Sequence, residues 1–335
     1  MKKRIQFIKS SKKNSVQKFI PYLDLYKNGI CQLSYNTFSR CIQFYDTNYE
    51  IASEDKQEDI FSKYCDLLNF FDDSVKFQLT FENQNVNTSK LLKDLIIPNI
   101  EPDDGLNSIR EEYSTILQDQ LLQGTNGRKM KKYITYTVEA SNLKEATSKL
   151  DNIGNEILAF MKTLGVKASI LNGEKRLNSL YRSLNPYTKE SFIFDWQEKL
   201  KSGLSTKDFI APSSLQFKKT TFEIGKNYGS VVSMNILAGE LSDRILKDFL
   251  NDKNIVSVNM HCKPFDQVEA LKFTRKKLTD VEKMKIDEQK KANRSGYDPD
   301  ILPPNIKMYI EELEKLLTDL NSKNERLFHI TFTVR

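Results

Sequence analysis

The side chains best suited to bind a metal or act as nucleophiles are two histidines, His261 and His329, and four cysteines, Cys31, Cys41, Cys65 and Cys262. Their spacing argues against both roles. No CxxC pair occurs, and two imidazoles without a third ligand read as ordinary strand residues, so neither a zinc site nor a disulfide framework is expected. The cysteines read as small, reduced core residues. No Gly-x-Ser-x-Gly elbow presents a nucleophile. The acidic pairs Glu111–Glu112 and Glu311–Glu312 are adjacent on predicted helices, where neighbouring side chains diverge and cannot share a proton. A phosphate-binding GxxxxGK(S/T) loop needs glycines whose amides close around phosphate. The single Gly-Lys pair, Gly225–Lys226, is followed by Asn227, has Thr220 where the first glycine belongs, and sits between two predicted strands as a hairpin turn would. No catalytic, cofactor-binding or metal-binding residue is therefore assigned.

Charge is the remaining chemical signal. The chain of 335 residues has 51 basic and 45 acidic residues, a net charge of +6. Much of the excess lies in a tail at 1–13, where Lys2, Lys3, Arg4, Lys9, Lys12 and Lys13 meet no acid. These six are candidates for contact with anionic lipid or a partner, the alternative being a solvated terminus. Single-stranded nucleic acid asks for basic residues interleaved with aromatics on one sheet face. Arg128, Lys131 and Lys132 beside Tyr133 and Tyr136 offer a partial version, although alternation sends the two rings to opposite sides of a strand. The tail lacks the apolar run of a secretory signal, and no stretch reaches the roughly 18 apolar residues of a membrane span. A cytoplasmic protein is expected.

The elements that must position these residues follow from periodicity. Tyr22–Tyr26, Ile30–Ser34 and Thr37–Tyr45 read as an antiparallel meander. A helix from Ser53 places Ile60, Tyr64, Leu67 and Phe71 on one side, and Val75, Phe77, Leu79 and Phe81 then alternate as a strand. Tyr133–Val138 is a further strand. Leu143, Ala146, Leu150, Ile153, Ile157, Phe160 and Leu164 recur at steps of three and four, a helix that Gly165 ends. A strand at Val166–Leu171 and a helix at Glu174–Leu184 complete a first α+β subdomain, 14–185, and Gly203 and Pro212 mark a linker at 186–214. The second subdomain, 215–335, repeats the order. It has strands at Leu215–Lys219, Phe222–Ile224 and Tyr228–Ile236, a helix at Glu240–Leu250, a strand at Ile255–Cys262, a helical hairpin within 266–322 and a closing strand at Leu327–Val334. The expected fold is α+β: two mixed or antiparallel sheets each covered by helices, with ferredoxin-like elements and an internal duplication.

Several strings carry a family resemblance. Residues 19–31 (FIPYLDLYKNGIC), 42–46 (IQFYD), 65–72 (CDLLNFFD) and 75–79 (VKFQL) look like the opening of conjugal-transfer ATPases of the CagE/TrbE/VirB family of Gram-positive conjugative elements. Residues 206–212 (TKDFIAP), 295–304 (SGYDPDILPP) and 324–328 (NERLF) extend the likeness along nearly the whole chain. In that family this segment precedes a RecA-like motor domain with Walker motifs, so the resemblance is to the non-catalytic N-terminal region. It implies a docking and assembly role, with inner-membrane type IV secretion channel proteins, the motor domain and further copies of the chain as partners. Contact with single-stranded DNA of the same machinery is the alternative.

Overall fold

The computed structural model describes residues 15–49, 51–85, 95–102, 104–124, 128–188, 190–236, 249, 254–298, 302–323 and 325–335. The basic tail at 1–13 lies outside them, as does the helix expected at 240–250 except for Phe249.

The fold is built on a nine-stranded antiparallel sheet. Its first part comprises β1 (Asp24–Leu25), β2 (Cys31–Ser34), β3 (Thr37–Phe44), β4 (Lys76–Asn85), β5 (Arg128–Glu139) and β6 (Ala168–Ile170). Helix α1 (Glu54–Phe70) connects β3 to β4, α2 (Asn107–Gly124) lies between β4 and β5, and α3 (Leu143–Thr163) connects β5 to β6. Strand β3 pairs with β6 and β5, and β5 pairs with β4, all antiparallel. The spatial order is thus fourth, first, third, second, the split βαβ arrangement of ferredoxin-like units.

Why these segments adopt these states is visible in their burial. Alternation turns Phe77 and Leu79 of β4 and Ile134, Tyr136 and Val138 of β5 toward α1 and α3, where they share one core with Leu67, Phe71, Leu150 and Ile157. Phe71 stacks on Phe77 with centroids 4.0 Å apart, and Phe70 meets Phe160 at 5.6 Å. The α3 stripe is the one its periodicity predicts, and Asn142 caps it by accepting a hydrogen bond from the Glu145 amide. Gly154 lies inside that stripe because a Cβ there would sit 2.4 Å from Tyr136 Oη, whose hydroxyl donates to the Leu150 carbonyl at 3.0 Å.

The rest of the sheet comes from the second half of the chain. Strands β10 (Val232–Met234), β11 (Ser257–Pro264) and β12 (Phe328–Val334) lie in the order β10, β12, β11, again first, third, second, with no fourth among the described residues. Strand β11 pairs antiparallel with β4, from Ser257 opposite Glu82 to Cys262 opposite Phe77. The two repeats therefore meet at the second strand of each, in a single sheet that spans the linker expected at 186–214. The second sheet is small: β7 (Leu215–Phe217), β8 (Phe222–Ile224) and β9 (Asn227–Gly229). The run expected as one strand at Tyr228–Ile236 is divided between the two sheets, β9 entering one and β10 the other. The linker holds two short helices, α5 (Trp196–Ser202) and α6 (Thr206–Ile210).

Helices α7 (Gln267–Arg294) and α8 (Pro304–Ser322) form the hairpin expected within 266–322. They pack chiefly on each other. Ala270 and Thr274 are buried on α7, Ile306 and Leu320 on α8, and Gln267 Nε2 donates to the Leu320 carbonyl at 2.7 Å to close the base.

One turn tests this architecture sharply. Gly29 has φ +86°, and a Cβ there would lie 2.0 Å from the Leu171 carbonyl oxygen. Gly29→Ala is expected to lose at least about 2 kcal/mol of stability, because it adds left-handed strain to a backbone clash. Urea unfolding followed by circular dichroism measures this, and an unchanged midpoint would count against the turn described.

Candidate functional site

Helix α4 (Gly173–Leu184) lies across the face of the sheet opposite α1 and α3. Its residues one and two turns apart reach successive strands. Arg176 Nη1 donates to the carbonyls of Gly29 at 2.8 Å and Ser39 at 2.7 Å, while Nη2 donates to Ser39 Oγ at 2.8 Å on β3. Ser179 lies beside the Tyr133 hydroxyl on β5, and Ser183 Oγ donates to Glu82 Oε1 on β4 at 2.7 Å. The helix covering expected on one side of the sheet thus extends to the other. Strand β3 explains why: Ser39 and Cys41 on this face are buried as well as Phe38, Arg40 and Ile42 on the first.

Alongside α4 runs a groove of about 620 Å³. Its floor is the polar face of the sheet: Gln78, Thr80, Thr135, Ser257, Asn259 and Thr333. Gln78 Nε2 and Thr80 Oγ1 both donate to Asn259 Oδ1, at 2.9 and 3.0 Å, so the floor is a cross-strand hydrogen-bonded ladder. The opposite wall is apolar, made by Leu180, Leu184, Phe217, Phe222, Ile224 and Val231. Phe217 and Val231 leave 63% and 57% of their surface exposed, so the rim offers apolar area to a partner.

Two buried ions mark the groove. Glu82 is 3% exposed, accepts from Ser183 and from Gln84 Nε2, and lies 3.5 Å from the Arg335 guanidinium. Arg176 is 8% exposed and hydrogen-bonds neutral acceptors only. Burial raises the Tyr22 and Tyr133 hydroxyls well above the ordinary tyrosine range. It also raises the Cys31 and Cys41 thiols, although the Arg176 charge pulls both the other way.

The structure separates the residues singled out for nucleic-acid contact. Lys131 and Lys132 are adjacent on β5 and point to opposite faces. Lys131 lies opposite Glu82 in the sheet, and Lys132 forms an ion pair with Asp46 on the helix side. Burial and the nearby Lys129 lower the Lys131 ammonium pKa. The Arg128 side chain and the tail lysines lie outside what is described. Tyr133 faces the groove side and Tyr136 is buried on the other, as alternation predicts. Gly225–Lys226 forms the β8–β9 turn, with Gly225 at φ +59°. His261 faces Thr333, its Nε2 3.4 Å from Thr333 Oγ1, and burial lowers its pKa. Among the described residues no group of three or more His, Cys, Asp or Glu could hold a metal ion. None of the groove residues was predicted, because neutral Thr, Gln, Asn and Ser alternating along strands look like any solvated sheet face.

No family model matches the chain, and no curated protein is significantly similar to it.

Two measurements test the site. Arg176→Met leaves two carbonyls and a hydroxyl without their donor and is expected to cost about 3 kcal/mol or more, read as a lower unfolding midpoint. Burial also pushes the Cys262 thiol up to about 12 and raises Cys31 and Cys41, so these three remain protonated at pH 8. Burial raises the Cys65 thiol as well, but it alone of the four is partly accessible, so iodoacetamide should modify it well before the others, with all four reacting in urea. Mass spectrometry resolves the order.

Proposed function

We propose that this chain is a docking and assembly domain of a conjugal-transfer ATPase of the CagE/TrbE/VirB type, binding a segment of a type IV secretion channel protein in the groove beside α4. The observation that carries the reading is the groove itself, a 620 Å³ trough with a hydrogen-bonding floor and an exposed apolar rim. Its size falls in the range of ligand sites, and its two chemically different sides suit an extended segment that is polar on one edge and apolar on the other. The strings at 19–31 and 206–212 that resemble this family supply the segment leading into β1 and helix α6, which build one end of the groove through Ile20, Tyr22 and Ile210. Tyr22 and Thr206 join these two strings by a hydroxyl hydrogen bond of 3.1 Å.

In this reading the domain works at the inner face of the cell membrane and holds a RecA-like motor against the channel. Membrane attachment comes through partners and the basic tail, since no helix among the described residues is long and apolar enough to cross a bilayer. The nucleotide chemistry belongs to the motor domain.

Purified channel proteins from a conjugative element, titrated against the full 335-residue chain by calorimetry, test the proposal. At least one should bind, and Phe217→Asp combined with Val231→Asp should weaken it tenfold or more while leaving the fold intact, because both side chains are already more than half exposed. Binding by none of them, or binding indifferent to the double substitution, overturns the assignment. Hydrolysis of magnesium-ATP by this chain alone would overturn it too.

A further inference from the structure

Helix α7 presents a second surface, unrelated to the groove. Its inner side, with Thr274, Leu278 and Val281, packs toward α8. The positions on the opposite side, at helical steps of three and four, are 272, 276, 279, 283, 287, 290 and 294, occupied by Lys, Lys, Thr, Lys, Asp, Lys and Arg, every one exposed. Five cations and one anion therefore lie along one crest about 33 Å long, at the 1.5 Å rise of a helix. Little neutralises them. Lys283 and Lys290 approach Asp280 and Asp287 only to 3.8 and 3.9 Å, with both partners well exposed, and Lys272, Lys276 and Arg294 form no ion pair among the described residues.

We infer that this crest binds the phosphate backbone of duplex nucleic acid. A line of cations at steps of about 6 and 10 Å along a rigid rod matches a polyanion whose charges are regularly spaced on its outside. The seven crest positions carry no aromatic and no apolar side chain, and the exposed apolar residues alongside them on α7 are split between its flanks, Phe273 and Met284 on one and Ile286 on the other. That composition disfavours a single strand, which is held by stacking its bases on rings, and it disfavours a membrane, into which a surface helix must bury an apolar face. Nothing on the crest can read base edges in a specific pattern, so the binding is independent of sequence.

The test uses a fluorescein-labelled 20-base-pair DNA duplex and fluorescence anisotropy with the full chain. Binding should be measurable at 50 mM salt and should weaken as salt rises, with a log–log slope of about −4.5 for five phosphate contacts. Replacing Lys276, Lys283 and Lys290 together by glutamine should reduce the slope by about 3 and the affinity at 50 mM salt at least tenfold. These side chains are exposed, and circular dichroism should show the fold unchanged. Lys307→Gln with Lys315→Gln on α8 should leave both quantities unaltered. An absence of binding at 50 mM salt overturns the inference, as does binding that survives the triple substitution, which would place the contact elsewhere, the basic tail included. Tighter binding of the same-length single strand, or sedimentation with phosphatidylserine vesicles that the triple substitution abolishes while duplex binding persists, also overturns it.

Discussion

A single buried guanidinium holds the second layer of this protein in place. Removing a cation from water costs several kcal/mol even after relaxation, and only a full set of well-placed acceptors recovers it. Arg176 finds them in the Gly29 and Ser39 carbonyls and the Ser39 hydroxyl, so the β1–β2 turn, strand β3 and helix α4 are bound to one point. The turn fits only because residue 29 is glycine, since the Leu171 carbonyl occupies the space a side chain would need. On the other face of the same strand, Arg40 forms an ion pair with Asp151 of α3. Strand β3 is thus anchored on both faces by arginines, and the groove exists because α4 is fixed where it is.

The sequence announced one layer and hid the other. Helix α3 was legible because its apolar residues recur at helical steps, and β4 and β5 because theirs alternate. Helix α4 also reads as a helix, and Leu177, buried with Ile20, Leu25 and Ile210, follows its apolar period, but the bonds that tie it to β3 and β4 are polar and come from Arg176 and Ser183, which no apolar pattern marks. The partner of a strand is not a periodic property at all. Nothing local distinguishes β11 pairing with β4 from β11 in a sheet of its own, and so the two repeats read as separate units. The break between β9 and β10 was hidden for a related reason, since Tyr228–Ile236 keeps its β-prone composition straight through the point where the chain passes from one sheet to the other.

Charge shows the same contrast between amount and arrangement. A balance of 51 basic against 45 acidic residues suggests little. Winding residues 267–294 into a helix sorts them, placing Lys272, Lys276, Lys283, Lys290 and Arg294 along one crest of α7 while Ala270 and Thr274 are buried. On β5 the strand does the opposite, and neighbours that looked like a cluster, Lys131 and Lys132, end on different faces. Sign and number are properties of the chain, whereas a surface is a property of the pleat or the helical turn.

The contact between β4 and β11 joins residues about 180 positions apart, as in the pairing of Met260 with Leu79. Long loops must close before such contacts form, which makes them late events on the folding route. At the ribosome, at about 5–20 residues per second, the first repeat is complete many seconds before β11 emerges. For that interval β4 is the open edge of a sheet, the kind of edge that invites another nascent chain to pair with it. Its own sequence supplies a safeguard: Glu82 and Gln84 punctuate the exposed strand until the second repeat arrives to cover it.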